Sequence, residues 1–288
     1  DMQDVANFFA DMYSRFTVAQ IPVIEIGNEP KFGDGPSFSQ MGQDDFIGGR
    51  VLNPFTANES DTTRSSGGGG NHFFTGTPRE LARIAYTVRN SVPAAVKVIG
   101  CGWEQTVGDY PGHYSIRDFW AFMNADIPGG LKAADILDWV SYHPYLYSNN
   151  PEVVHLQHQS YRYWMGQLAT ALGKPALASR PLAATEVGHE VGGGGGAASS
   201  FSAAQIATTN KRATAILAAL GARMCIWYID RTGETVTTYP PSGANNATMI
   251  AACDASDVLN NNRIRQAAWK PSTGEVWMRF DGNTELTV

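Results

Sequence analysis

The sequence predicts an α/β fold, and within that class a β/α barrel in preference to an open doubly wound sheet. Two observations set the class: short strand-like runs alternate five times with helix-period segments, and those runs are apolar throughout, as in a parallel sheet covered on both faces. A third observation chooses the barrel. Carboxylates and aromatics cluster directly after several different runs, which is where the mouth of a β/α barrel gathers its functional side chains.

The elements follow in order. A helical pattern opens the chain, with Val5, Phe8, Phe9, Met12 and Phe16 at helical spacing. The run Ile21 to Ile26 is the first strand and stops on Asn28-Glu29-Pro30. A polar segment from Lys31 to Gly76, including the tract Gly67 to Gly70, is too long for an ordinary βα loop and is expected to be a functional or mobile insertion, with walling of one end of a cleft as its predicted role. Thr77-Pro78-Arg79-Glu80 then starts a helix: Thr77 caps, Pro78 fits the first turn, Glu80 completes a capping box, and Leu81, Ile84, Ala85 and Val88 form the stripe to be buried. Val96 to Gly100 is the second strand, Ile116 to Asn124 an aromatic-rich helix, and Leu137 to Tyr142 the third strand. A helix from Asn150-Pro151 reaches Leu172 and stops at Gly173, and a fourth strand lies within Ala176 to Thr185. After the tract Gly192 to Gly196 come a helix over Ala203 to Leu220 and a fifth strand over Met224 to Ile229. The tail is expected to hold a short helix around Ile264 to Trp269 and a hairpin over Val276 to Val288 turning at Asp281-Gly282.

Composition narrows the partner. The 288 residues, 43% hydrophobic and 17% charged, are enough to bury a sizeable core. A net charge of -6 argues against a dedicated nucleic-acid binder, which carries a basic face. No apolar stretch is long enough to span a membrane as a helix. Three cysteines, Cys101, Cys225 and Cys253, make neither a disulfide framework nor a metal motif. The glycine tracts lack phosphate-loop spacing and read as linkers or lids.

Two strand-end carboxylates carry the chemistry. Ile24-Glu25-Ile26-Gly27-Asn28-Glu29 and Ala183-Ala184-Thr185-Glu186 each end an apolar run on a glutamate. Paired carboxylates suit glycoside hydrolysis, in which one protonates the leaving oxygen while the other attacks the anomeric carbon or activates water, with no metal or other cofactor required. The competing reading is two unrelated polar residues at loop starts. Glu25 shares strand parity with Glu29 and is expected to be a buried structural carboxylate pointing into the barrel.

On these motifs the chain resembles the clan A glycoside hydrolases, the (β/α)8 TIM-barrel retaining enzymes with catalytic glutamates after strands four and seven. Glu25-Ile26-Gly27-Asn28-Glu29-Pro30 resembles their strand-four signature, Ser141-Tyr142-His143-Pro144-Tyr145 is similar to strand six of several of these families, including family 39, and family 5-like enzymes are comparable. Thr185-Glu186-Val187-Gly188 resembles the strand-seven nucleophile segment. The resemblance implies Glu29 as acid/base, Glu186 as nucleophile, and Asn28 on the sugar 2-hydroxyl, with Trp227 as an aromatic platform after strand eight. Gly27 stands where many relatives carry Trp. It also implies that the visible sequence covers about strands four to eight, so that an N-terminally truncated barrel over residues 1–270 and a C-terminal β segment over 271–288 are expected.

Remaining candidates are weighed alongside. Trp103 either stacks on sugar or is structural, and Glu104 follows the same run. His143 and Tyr145 either bind sugar hydroxyls, orient the nucleophile or fill the rim. Glu190 rivals Glu186 but lies beyond the apolar run. His155 and His158, at i, i+3 spacing, lack a further ligand and read as an exposed helix face. Asn58-Glu59-Ser60 and Asn246-Ala247-Thr248 fit the glycosylation pattern. The expected partner is a carbohydrate, in a secreted or periplasmic setting. The alternative is a non-catalytic carbohydrate-binding or structural barrel within a larger assembly; an acyl hydrolase is excluded for want of a Gly-x-Ser-x-Gly elbow.

Overall fold

A computed structural model describes residues 2–30, 77–103, 115–146, 150–188, 203–227, 264–270, 273, 275–281 and 285–287. The insertion after Pro30, both glycine tracts, Glu104, Glu190, Cys253 and the two glycosylation sequons lie outside these residues. The chain divides into two units, Asp1–Tyr142 with Tyr163–Arg180, and His143–Arg162 with Pro181–Val288.

The first unit is a parallel sheet with helical cover. Helix α1 (Met2–Arg15) leads to strand β1 (Val23–Ile26), and the Tyr13 hydroxyl donates to the Ile21 carbonyl at 2.8 Å, tying the helix end to the strand start. Helix α2 (Pro78–Ser91) packs against α1 and opens with the expected capping box: Glu80 N–H donates to Thr77 Oγ1 at 3.1 Å, and Thr77 N–H donates to Glu80 Oε2 at 2.8 Å. Its stripe buries Leu81, Ala85 and Val88 as expected, with Ala82 in place of the half-buried Ile84. Strand β2 (Lys97–Trp103) is buried over nearly its whole length and pairs in parallel with β1, Val23 opposite Lys97 and Ile26 opposite Gly100.

Helix α3 (Ser115–Met123) brings Phe119, Trp120, Phe122 and Met123 into the core. A small hairpin that the sequence reading did not foresee, β3 (Asp126–Ile127) with β4 (Leu131–Lys132), precedes the one-turn helix α4 (Ala133–Ile136). Strand β5 (Trp139–Tyr142) pairs in parallel with β2. At its start Asp138 Oδ2 accepts from Arg89 at 3.1 Å and from Val98 N–H at 3.0 Å, while Oδ1 accepts from Lys97 at 3.0 Å. This clamp fastens the N-terminal edge of the sheet, the end of a β/α architecture that serves stability.

Helix α5 (Val153–Ala171) contributes its C-terminal half to this unit, where Trp164 meets Trp120 edge-on at 6.4 Å, followed by a 3-10 turn at Pro175–Ser179. In the second unit, β6 (Leu182–Val187) pairs in parallel with β7 (Cys225–Trp227), joined through α6 (Ala203–Ala219). Three antiparallel strands follow, β8 (Ile264–Lys270), β9 (Glu275–Phe280) and β10 (Glu285–Thr287), with α6 packed against β8 and β9. Val276, Met278 and Phe280 are buried at strict period two, the signature of a sheet with one covered face.

Strands β9 and β10 pair antiparallel within the expected hairpin, whose turn at Asp281-Gly282 extends outside the described residues. The expected helix around Ile264 to Trp269 is corrected: the segment is a strand, in register with β9 from Ile264 opposite Phe280 to Lys270 opposite Glu275. Ladder pairing supplies every residue from Gln266 to Lys270 with a partner, the register shifting at Arg265, and that outweighs the helix-favouring Gln266-Ala267-Ala268.

Candidate active site

Glu29, the first candidate carboxylate, lies in the turn after β1 in the first unit. Gly27 has φ of 78°, and Glu29 has φ of 43°, the one non-glycine residue with positive φ among those described. The chain therefore leaves the strand through two left-handed residues with Asn28 between them. Gly27 is glycine for its backbone, because a side chain at φ near 78° is strained even though a Cβ there would meet Cys101 and Leu81 only at ordinary contact distance. Glu29 N–H donates to the Gly102 carbonyl at 3.1 Å, which binds the turn to the end of β2, and Pro30 is buried behind it. Asn28 and Glu29 are half-buried. Glu25 corrects an expectation: it is exposed, not buried, within the edge strand β1.

Trp103 is also corrected. Its side chain is 1% exposed and packs edge-on against Phe119 and tilted against Phe122, each at 5.7 Å, so it belongs to the layer beneath α3 and offers no face to a sugar.

The other candidate carboxylate belongs to the second unit. Glu186 is the half-buried residue in a strand whose other members are buried, at the C-terminal end of β6. The chain after β5 runs through His143 and Tyr145 to Leu146, whose N–H donates to the Gly188 carbonyl at 2.7 Å. That single backbone bond lays the His143-Pro144-Tyr145 segment beside the end of β6. Consequently the Tyr145 hydroxyl donates to Glu186 Oε2, and His143 Nδ1 stands 3.5 Å from the same oxygen. His143 is fully buried and meets Tyr145 edge-on at 6.3 Å, so both rings are fixed by packing. Of the sequence candidates, Glu186, His143 and Tyr145 are thus assembled into one cluster.

Strands β2 and β6 each carry a bulge. Between Gly100 opposite Val140 and Trp103 opposite Tyr142, two β2 residues face the single Ser141. Between Ala184 opposite Cys225 and Val187 opposite Trp227, the residues Thr185 and Glu186 face the single Ile226. Bulges concentrate beside active sites because they re-aim one side chain. The sequence signal for the first was Gly102 inside an apolar run; nothing in the second run marked its bulge.

Trp227 is half-buried and donates its indole N–H to Thr214 Oγ1 at 3.0 Å, which fixes the ring on α6. Burial pushes the neighbouring Cys225 thiol up to about 12 and holds Cys101 well above the ordinary thiol range, which disfavours the thiolate at both. The reading of His155 and His158 as an exposed helix face is corrected for His158, which is 2% exposed; burial, then Arg162 and His155, hold its imidazole down at about 4.

No protein-family model matches the sequence, and no curated protein does. Solved structures do. The whole chain superposes on a glucosidase from Croceicoccus marinus with a TM-score of 0.53 at 12% identity, covering 59% of that chain. The two chains share a fold. The βα order and parallel pairings described above are those of a partial β/α barrel. A fungal β-1,4-galactanase matches over 88% of this chain and 68% of its own, with 16% identity and a TM-score of 0.45. An endo-β-1,4-mannanase of Cellulomonas fimi matches over 97% of this chain and 68% of its own, with 15% identity and a TM-score of 0.36. The chain thus spans about three fifths of the glucosidase it resembles in fold.

Proposed function

We propose that the protein is a retaining glycosidase acting on an oligo- or polysaccharide, with Glu186 as nucleophile and Glu29 as general acid/base. The observation that carries the reading is the Glu186 cluster: a strand-end carboxylate on the fold of glycoside hydrolases, with Tyr145 donating to one oxygen and His143 beside it. A carboxylate held through Oε2 keeps its Oε1 lone pair for attack on an anomeric carbon, and fixing its rotamer ahead of substrate removes a reorganisation cost from the reaction.

In the first step Glu186 attacks the anomeric carbon while Glu29 gives its proton to the departing oxygen, leaving a glycosyl ester on Glu186. Water then attacks that carbon as Glu29 takes the proton back, and the ester bond to Glu186 breaks. The step sequence requires the two carboxyl groups to stand about 5 to 5.5 Å apart, against about 6.5 to 9.5 Å for an inverting pair. Strands β1, β2, β5, β6 and β7 would correspond to strands four to eight of the barrel, which puts Glu29 and Glu186 after strands four and seven. Asn28 is assigned to the sugar 2-hydroxyl and Trp227 to the sugar face.

Glu29→Gln and Glu186→Ala test this on a panel of aryl glycosides. The expected result is loss of turnover on every substrate for Glu186→Ala and on poorly activated aryl glycosides for Glu29→Gln, with azide restoring Glu186→Ala as a glycosyl azide of inverted configuration. Turnover that survives both substitutions unchanged refutes the assignment, and sugar binding by the parent protein without any turnover favours a carbohydrate-binding barrel.

A further inference from the structure

We propose that Ser141 is a positioning residue for Glu29, acting through the peptide of Gly102; the proposal rests on Glu29 being the acid/base. Glu29 is held at φ of 43°, a conformation that Cβ-bearing residues avoid, so some contact must fix it there. A backbone contact that does so is the bond from Glu29 N–H to the Gly102 carbonyl at 3.1 Å. Gly102 is itself left-handed, with φ of 59°, and belongs to the β2 pair that faces a single β5 residue. Left to its own torsional freedom, glycine is the least able of all residues to hold another in place.

Ser141 removes that freedom. Its side-chain oxygen accepts the Gly102 N–H at 2.8 Å, and the residue is fully buried. The irregular register at Gly102 displaces the usual strand-to-strand pairing, and the Ser141 hydroxyl stands in for a main-chain acceptor. A three-part relay results: the β5 side chain pins Gly102, and Gly102 pins the backbone from which the Glu29 carboxyl projects. Removing the hydroxyl leaves a buried N–H without an acceptor, and the residue free to relax is the one that holds Glu29.

Displacing an acid/base has a signature that general loss of structure lacks. A poor leaving group needs its proton at the moment of bond cleavage, whereas an activated phenolate departs without it. Ser141→Ala, and the near-isosteric Ser141→Cys should the first fail to fold, are to be compared with the parent and Glu29→Gln on phenyl and dinitrophenyl glycosides. Expected is a loss of about tenfold or more in kcat/KM on the phenyl substrate and under about twofold on the dinitrophenyl one, following the shape seen for Glu29→Gln. Equal losses on both substrates, with a steep profile for Glu29→Gln, overturn the relay alone. A flat profile for Glu29→Gln removes the acid/base reading and the proposal with it. Amide exchange supplies a readout independent of turnover: the Gly102 and Glu29 amides should be protected in the parent and exchange about tenfold faster in the variants, with Leu81 and Val88 unchanged. Fast exchange at Glu29 in the parent, or unchanged protection in the variants, overturns it.

Discussion

Replacing His158 with Gln should flatten the acid limb of the protein's stability. The imidazole is 2% exposed on α5 and its pKa is held at about 4, first by burial and then by the charges of Arg162 and His155. An unfolded chain restores an ordinary value of about 6.5. Between these values the unfolded state takes up a proton that the folded state refuses, so stability is intact above about pH 6.5, declines as the pH falls towards 4, and is level below that. At pH 5 the two values give a loss of about 2 kcal/mol relative to neutral pH from this residue. That is a large share of the ~5–15 kcal/mol by which domains are stable. Asp135, whose pKa is lowered from 3.8 although burial alone would raise it, loses its contribution only below that range and does not confuse the window. Urea titrations of the parent and His158→Gln at about pH 7.5 and pH 5 measure the difference directly, and the variant should lose about 2 kcal/mol less between the two. Equal losses in both proteins would refute the reasoning, because they would mean that His158 titrates alike in the folded and unfolded chain.

Two further outcomes are expected. Tyr145→Phe removes the hydroxyl that donates to Glu186 Oε2 and, at about 1.5–3 kcal/mol for a hydrogen bond to a charged group, should lower kcat by about 10- to 150-fold with little change in melting temperature; a fall in melting temperature with unchanged kcat would count against the nucleophile assignment. Thr77→Ala breaks the capping box of α2 and should cost about 1 kcal/mol in chemical denaturation without altering turnover.

The strands and helices that position the site were legible because their signals are local. The capping box at Thr77 and Glu80 needs four residues, and the apolar runs ending on Glu29 and Glu186 need six or so each. What stayed hidden depends on partners distant in sequence. Ile264 to Lys270 carries helix-forming residues and becomes a strand only because β9 offers its edge. Trp103 reads equally as platform or core until Phe119 and Phe122 enclose it. His158 reads as surface because its helix has no clear apolar stripe to declare which side is covered. Likewise, no spacing rule announces that the Leu146–Gly188 bond brings Tyr145 to Glu186, although both residues were candidates on chemistry.

The two bulges make the rim of this protein sensitive to chain length more than to side-chain chemistry. Deleting one residue from the Cys101–Gly102 pair, or from Thr185–Glu186, would even out the ladder, two residues against one becoming one against one. A regular ladder is the more favourable pairing, and Trp103 and Val187 would keep their partners, but the extra residue that re-aims a side chain at each strand end would be gone. Selection for thermal stability and selection for turnover should therefore rank such deletions in opposite order, and a stability-guided redesign of these strands would erase the geometry worth keeping.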